Sequence, residues 1–172
     1  YMVSVRGVSD SLLARILESL PSASHPLSIA LRNDTDTHVV SGAPADLASL
    51  VAAIERAAAK DKAAHDAHER GGRPLSPVCE YLPVYAPFHS PMLADALELV
   101  DEWALQCGID ASLAHSLAAA VLTTPVDWPQ QIRSATASGA AWIVDMGPGA
   151  TTVRMTRALV EGTGVGIVAA GT

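Results

Sequence analysis

The sequence predicts an α/β chain in two parts, a ferredoxin-like β-α-β-β-α-β unit over residues 1–83 and part of a larger α/β core over residues 84–172. Three observations predict it. Short strand-like and helix-period segments succeed one another in β-α-β-β-α-β order as far as Tyr85. Beyond that point the pattern changes to three successive helices. Two continuous apolar runs then follow, of the kind buried on both faces of a parallel sheet.

In order, Met2-Val3-Ser4-Val5-Arg6 alternates as a half-buried strand does. Ser9 or Asp10 can cap a helix carrying Leu12, Leu13, Ile16, Leu17 and Leu20, and Ser22 to Pro26 is a loop. Leu27–Leu31 and His38–Ser41 form a hairpin about the turn cluster Asn33-Asp34-Thr35-Asp36. Pro44 opens a helix bearing Leu47, Leu50, Val51, Ile54 and Ala58, which frays after Lys60, and Val78–Tyr85 is the fourth strand. In the second part, Leu93, Leu97, Val100 and Ala104 mark one helix face, ended by Gly108. Asp110 caps a helix whose expected buried side is Leu113, Leu117 and Val121. Asp127 caps a third, with Trp128 and Ile132 inward and Gly139 at its end. Ala141–Val144 and Val165–Ala169 are the apolar strands. Two such strands need neighbours, so the remaining strands of the core are expected outside this chain.

With 172 residues, 49% of them hydrophobic, the chain can bury a core. A net charge of −7 without a basic run argues against nucleic acid and against an anionic membrane surface. No apolar stretch reaches the ~20 residues a spanning helix needs. Cys79 and Cys107 match no metal or redox spacing, which makes a reducing cytoplasm the expected location. The chain opens at Tyr1 inside a strand pattern, as a piece of something longer would.

Pro87-Phe88-His89-Ser90-Pro91 is the stretch with the clearest chemistry. Ser90 followed by Pro91 is a helix start, placing His89 just outside a helix N-terminus. The positive end of that helix would disfavour imidazolium and leave a neutral, proton-accepting ring. The competing reading is a histidine that merely flanks a cap. His65 and His68, near Asp66 and Glu69, read as a solvated helix end, and no metal is expected. Gly147-Pro148-Gly149 lacks the glycine spacing and lysine of a phosphate loop and reads as a turn. His25, His38 and His115 have no partners visible in the sequence.

Five motifs, in order along the chain, resemble a known family. They are Asn33 to Gly42 with Val39-Val40-Ser41-Gly42, Pro87-Phe88-His89-Ser90, Pro125-Val126-Asp127-Trp128, Asp145-Met146-Gly147-Pro148-Gly149, and Gly162-Thr163-Gly164-Val165 with Ala169-Ala170-Gly171. The chain resembles the C-terminal portion of the acyltransferase domain of type I fatty acid synthases, including its ferredoxin-like subdomain. That resemblance implies an α/β-hydrolase-like core and transfer of an acyl group, acetyl favoured, from coenzyme A to the phosphopantetheine arm of an acyl carrier protein. It implies a Ser–His ping-pong mechanism in which the serine sits in a Gly-x-Ser-x-Gly elbow. His89 would be the base, with Asn33, Phe88 and Ser90 lining the substrate cleft. The main-chain carbonyl of Val121 would orient the imidazole. No resident cofactor is implied; the partners are the carrier protein and the other domains of a cytoplasmic multienzyme. No Gly-x-Ser-x-Gly occurs in the chain, so these residues alone are expected to be inactive. Ser90 cannot replace the missing nucleophile, since neighbouring side chains at a strand end diverge. The alternative is a non-catalytic ferredoxin-like module that binds a ligand or partner.

Overall fold

The computed structural model describes residues 1–21, 26–69, 71–147, 149 and 151–170. Most of the expected Ser22–Pro26 loop, including His25, lies outside the described residues, as do Pro148 of the Gly-Pro-Gly turn and Gly171.

The first part contains β1 (Met2–Arg6), α1 (Asp10–Ser19), β2 (Ser28–Asp34), β3 (Thr37–Ser41), α2 (Pro44–Asp66) and β4 (Val78–Tyr81), with its strands in the order β4-β1-β3-β2. This is the ferredoxin-like arrangement. β1 runs antiparallel to both neighbours, so that Val3 stands opposite Val40 on one side and Tyr81 on the other. Strand alternation then separates two apolar layers. On the helix side Val3, Val5, Val8 and Val40 pack with Leu13 and Ile16 of α1 and Leu47, Leu50 and Ile54 of α2. Each large side chain buried there contributes about 1.5–3 kcal/mol. On the opposite face Met2, Ala30 and Val39 meet Leu31, Leu82, Val84 and Phe88.

Helix boundaries follow the expected chemistry. Ser9 caps α1 through the Leu12 N–H. α2 runs further than its composition suggests, to Asp66, and ends with His68 in a left-handed conformation (φ 59°). The Glu69 N–H closes that end on the Ala64 carbonyl, so the solvated helix end expected at His65 and His68 is a capped one. Among the described residues no His/Cys/Asp/Glu group could hold a metal ion, and no helix is long and apolar enough to cross a membrane. His38 is buried, its Nε2 2.9 Å from the Val8 carbonyl and its Nδ1 without a hydrogen-bond partner, 3.7 Å from Asp10. His115 meets the Asp101 carboxylate at 2.9 Å.

Two compact units emerge, Tyr1–Leu31 with Thr35–Val126, and Arg32–Asp34 with Asp127–Thr172. The division at Val126 differs from the boundary expected after residue 83. The physical reason is that the segment after β4 is tied to both the sheet and the helices that follow it. Leu82 N–H bonds Met2 O, the Ser41 hydroxyl bonds Phe88 O, and His89 N–H bonds Val121 O. The first unit therefore also holds α3 (Ala96–Gln106) and α4 (Ala111–Leu122). α3 turns its half-buried Leu97 and Val100 and buried Ala104 inward, as expected, and Gly108 (φ 68°) closes it. For α4 the expectation fails: Leu113, Leu117 and Val121 are 56%, 61% and 53% exposed, while Ala114, Ala118 and Leu122 form the half-buried side. Small alanines let α4 approach α3 closely, leaving the larger residues uncovered.

A two-residue strand, β5 (Val126–Asp127), leads into α5 (Trp128–Ala137), β6 (Trp142–Asp145), α6 (Thr151–Val160) and β7 (Gly166–Ala169). Asp127 caps α5 through the Gln130 N–H. Trp128 donates its indole N–H to the Thr156 hydroxyl, locking α5 to α6. β6 and β7 pair in parallel, with Trp142 opposite Gly166; a Cβ at Gly166 would collide with the Trp142 ring. The burial expected on both faces is absent: Trp142 is 67% and Val144 51% exposed, because among the described residues only these two strands make the sheet.

Candidate active site

His89 sits between the end of the β4 segment and a single 3-10 turn, Pro91–Leu93. Ser90 caps that turn, its hydroxyl accepting from the Met92 N–H. The expected long helix thus begins only at Ala96, and one 3-10 turn supplies little of the positive dipole invoked for His89. The helix end that His89 does meet is the C-terminus of α4. Its backbone N–H donates to the Val121 carbonyl at 3.3 Å, and the Ser90 N–H donates to the Leu122 carbonyl at 3.0 Å. Two carbonyls left over at a helix terminus thereby gain donors.

The imidazole continues this contact. Its Nδ1 lies 2.9 Å from the carbonyl oxygen of Thr124. A carbonyl can only accept, so Nδ1 carries a proton in this contact. In the neutral ring Nε2 then holds the lone pair and is the basic atom. His89 is half-buried, not sealed, which leaves its ring reachable. The expected orienting group, the Val121 carbonyl, is corrected to Thr124, because Val121 O is engaged by the His89 backbone instead. Sequence reasoning missed Thr124: a main-chain acceptor leaves no side-chain signature.

His89 has φ 55°, the left-handed region. Histidine enters it more readily than most residues, but it still costs on the order of 1–3 kcal/mol and must be held by its surroundings. The holding groups are the two amide bonds to α4, the ring bond to Thr124 and the buried Ser41 hydroxyl on the Phe88 carbonyl at 2.8 Å.

The other expected site residues divide. Ser90 is fully buried and spends its hydroxyl on the Met92 N–H, so it caps rather than lines a cleft. Phe88 is partly buried against Met2, Ala30 and Val39, on the sheet face that carries the segment. Asn33 lies near the end of β2, in the stretch grouped with the second unit. In that unit, Asp145 bears on the Gly147–Gly149 turn. Its carboxylate accepts from the Gly147 N–H at 2.9 Å and the Val153 N–H at 3.2 Å. An internal anion thus occupies donors a phosphate would need at the start of α6.

This fold is shared with solved malonyl-CoA:acyl carrier protein transacylases. The chain matches a malonyl-CoA:acyl carrier protein transacylase from Xanthomonas oryzae with a TM-score of 0.70 and 19% identity, covering 99% of this chain and 54% of that one. It matches a malonyl-transacylase solved in complex with its type II polyketide synthase acyl carrier protein at TM-score 0.69 and 16% identity, covering 99% and 55%. Residues 1–81 match the family described as the fatty acid synthase central AT domain. Over 200 aligned residues the chain is 29% identical to the fatty acid synthase subunit beta of Aspergillus oryzae, covering 98% of this chain and 10% of that protein. Over these stretches the chain is similar to the acyltransferase portion of type I fatty acid synthases. It spans about a tenth of that relative's length and about half of the solved transacylases.

Proposed function

We propose that this chain supplies the base-bearing portion of an acyltransferase that moves an acyl group, acetyl favoured, from coenzyme A to the phosphopantetheine thiol of an acyl carrier protein during fatty acid synthesis. The observation that carries the reading is the His89 ring, bonded through Nδ1 to the Thr124 carbonyl with Nε2 left as acceptor. Relatives and neighbours support it by their names, a fatty acid synthase subunit and malonyl transacylases, one of them solved with an acyl carrier protein. His89 Nε2 takes the proton of a serine hydroxyl outside this chain as the serine oxygen attacks the thioester carbonyl. Collapse of the tetrahedral adduct breaks the C–S bond, and the proton passes from Nε2 to the departing coenzyme A thiolate. The pantetheine thiol then repeats the sequence in reverse on the acyl-serine. Facing the C-terminal carbonyls of α4, the ring finds its transient positive charge stabilised.

The exposed apolar residues of β6 are covered, in this reading, by the remainder of an acyltransferase core contributed by other residues of a larger synthase. That synthase works in the cytoplasm, in keeping with two free cysteines. Its other domains and the carrier protein are the partners, and Phe88 borders the acyl site. The test is His89→Ala in the complete enzyme, following acyl transfer from acetyl-CoA to a pantetheine acceptor. Loss of a positioned base lowers the rate about 10²–10⁴-fold. Transfer within about threefold of the parent would remove His89 from the chemistry.

A further inference from the structure

We propose that Ser41 is a positioning residue for His89, an inference that rests on the base role given to His89 above. Ser41 ends β3 on the same sheet face as Val39, two residues earlier. It is fully buried, and its hydroxyl donates to the Phe88 carbonyl at 2.8 Å. That carbonyl and the His89 N–H belong to one peptide unit, which is planar and rigid. The unit is therefore gripped at both poles, by the Ser41 hydroxyl on its oxygen and by the Val121 carbonyl on its N–H. The next unit is fixed by the Ser90 N–H on the Leu122 carbonyl. Between two clamped peptide planes, φ of His89 is held at 55°.

Without the Ser41 hydroxyl, one pole of the first plane is free. The peptide can then rotate and let His89 leave the left-handed region. Such a rotation swings the imidazole away from the Thr124 carbonyl, and with it the lone pair of Nε2. The Val39-Val40-Ser41-Gly42 motif, which reads in the sequence as a hairpin strand, thus acquires a second duty. It links the ferredoxin-like sheet to the base.

The test uses the complete synthase enzyme with Ser41→Ala, Ser41→Thr and Ser41→Cys beside His89→Ala. Misplacing a catalytic group by about 1 Å can cost roughly a hundredfold, so Ser41→Ala should lower kcat about tenfold to a hundredfold. KM for the acyl-CoA should move less than about twofold, since no binding contact is removed. Ser41→Thr keeps the hydroxyl and should restore most of kcat; Ser41→Cys, a weak donor of similar size, should fall between. Amide hydrogen exchange adds a readout independent of activity: Ser41→Ala should speed exchange at His89 and Ser90 and spare Val3 and Val40. If Ser41→Ala folds poorly, the ranking of Thr above Cys decides. Should His89→Ala stay active, the base reading fails while the exchange result still reports the grip of Ser41. An unchanged kcat in Ser41→Ala with His89→Ala inactive, or equal damage by Thr and Ala, would overturn the proposal.

Discussion

The carbonyl of Thr124, two residues past the end of α4, lies 2.9 Å from Nδ1 of His89 and sets the ring's tautomer. The neutral imidazole should carry its proton on Nδ1. Nitrogen chemical shifts of His89 in labelled enzyme, recorded where the ring is neutral, check this. A proton found on Nε2 would mean that the Thr124 contact is not a hydrogen bond, and Nε2 could not act as a base.

Uncovered apolar strands make a second expectation. β6 exposes Trp142 and Val144, and β7 exposes Val168. Open parallel edges with apolar side chains in water protect their amides poorly. In the isolated chain, amides of β6 and β7 should exchange fast, and those of β1, paired on both sides and buried against α1 and α2, should exchange slowly. Strong protection of Ile143 and Val144 would show that these strands need no further neighbours.

Much of this architecture is legible in the sequence, for identifiable reasons. Asp110 and Asp127 announce their helices because a cap is a local bond between a side chain and an N–H three residues on. The β-α-β-β-α-β order is legible because each amphipathic period meets a partner within the chain. The reading of α4 goes wrong where that condition fails. Leu113, Leu117 and Val121 form a proper apolar stripe, but the stripe faces solvent while alanines pack on α3. Beside His89, the cap at Ser90 is legible from the Ser-Pro helix start, because it too is a local bond. Thr124 is not, since a carbonyl belongs to every residue. Nor is the helix terminus beside His89 the one that follows it in sequence: His89 abuts the end of α4, which lies more than 30 residues further along the chain.

Asp145 ties the turn after β6 to the first turn of α6 through two N–H groups. Replacing it with Ala removes both acceptors and the negative charge at a helix N-terminus. Such a cap is worth about 0.5–2 kcal/mol. Asp145→Ala should lower the urea midpoint of the complete enzyme domain and speed exchange at Val153, with no effect on α1. Asp145→Asn, which keeps one acceptor, should cost less. Equal stability of parent and Asp145→Ala would mean the turn holds itself.

Cys79 supplies a pH dependence whose sign can be worked out. It stands opposite Val5 in the β1–β4 pair and packs against the helix-side core. Burial pushes its thiol pKa up, and the nearby Glu55 carboxylate pushes it further the same way. An unfolded chain releases that proton near pH 8.5, where the folded chain still holds it. Above that pH the folded state binds more protons than the unfolded one, so stability falls as pH rises. The contribution of Cys79 is fully present below about pH 8.5 and is lost as pH climbs through the raised folded value. Lysines and tyrosines titrate in the same range, so the informative quantity is a difference between variants. Urea midpoints at pH 7.5 and pH 10 should fall further apart for the parent than for Cys79→Val, which cannot ionise. Iodoacetamide at pH 8 should label exposed Cys107 well before Cys79. Equal labelling of the two, together with identical pH slopes for parent and Cys79→Val, would show that the thiol on β4 is not shielded by the sheet.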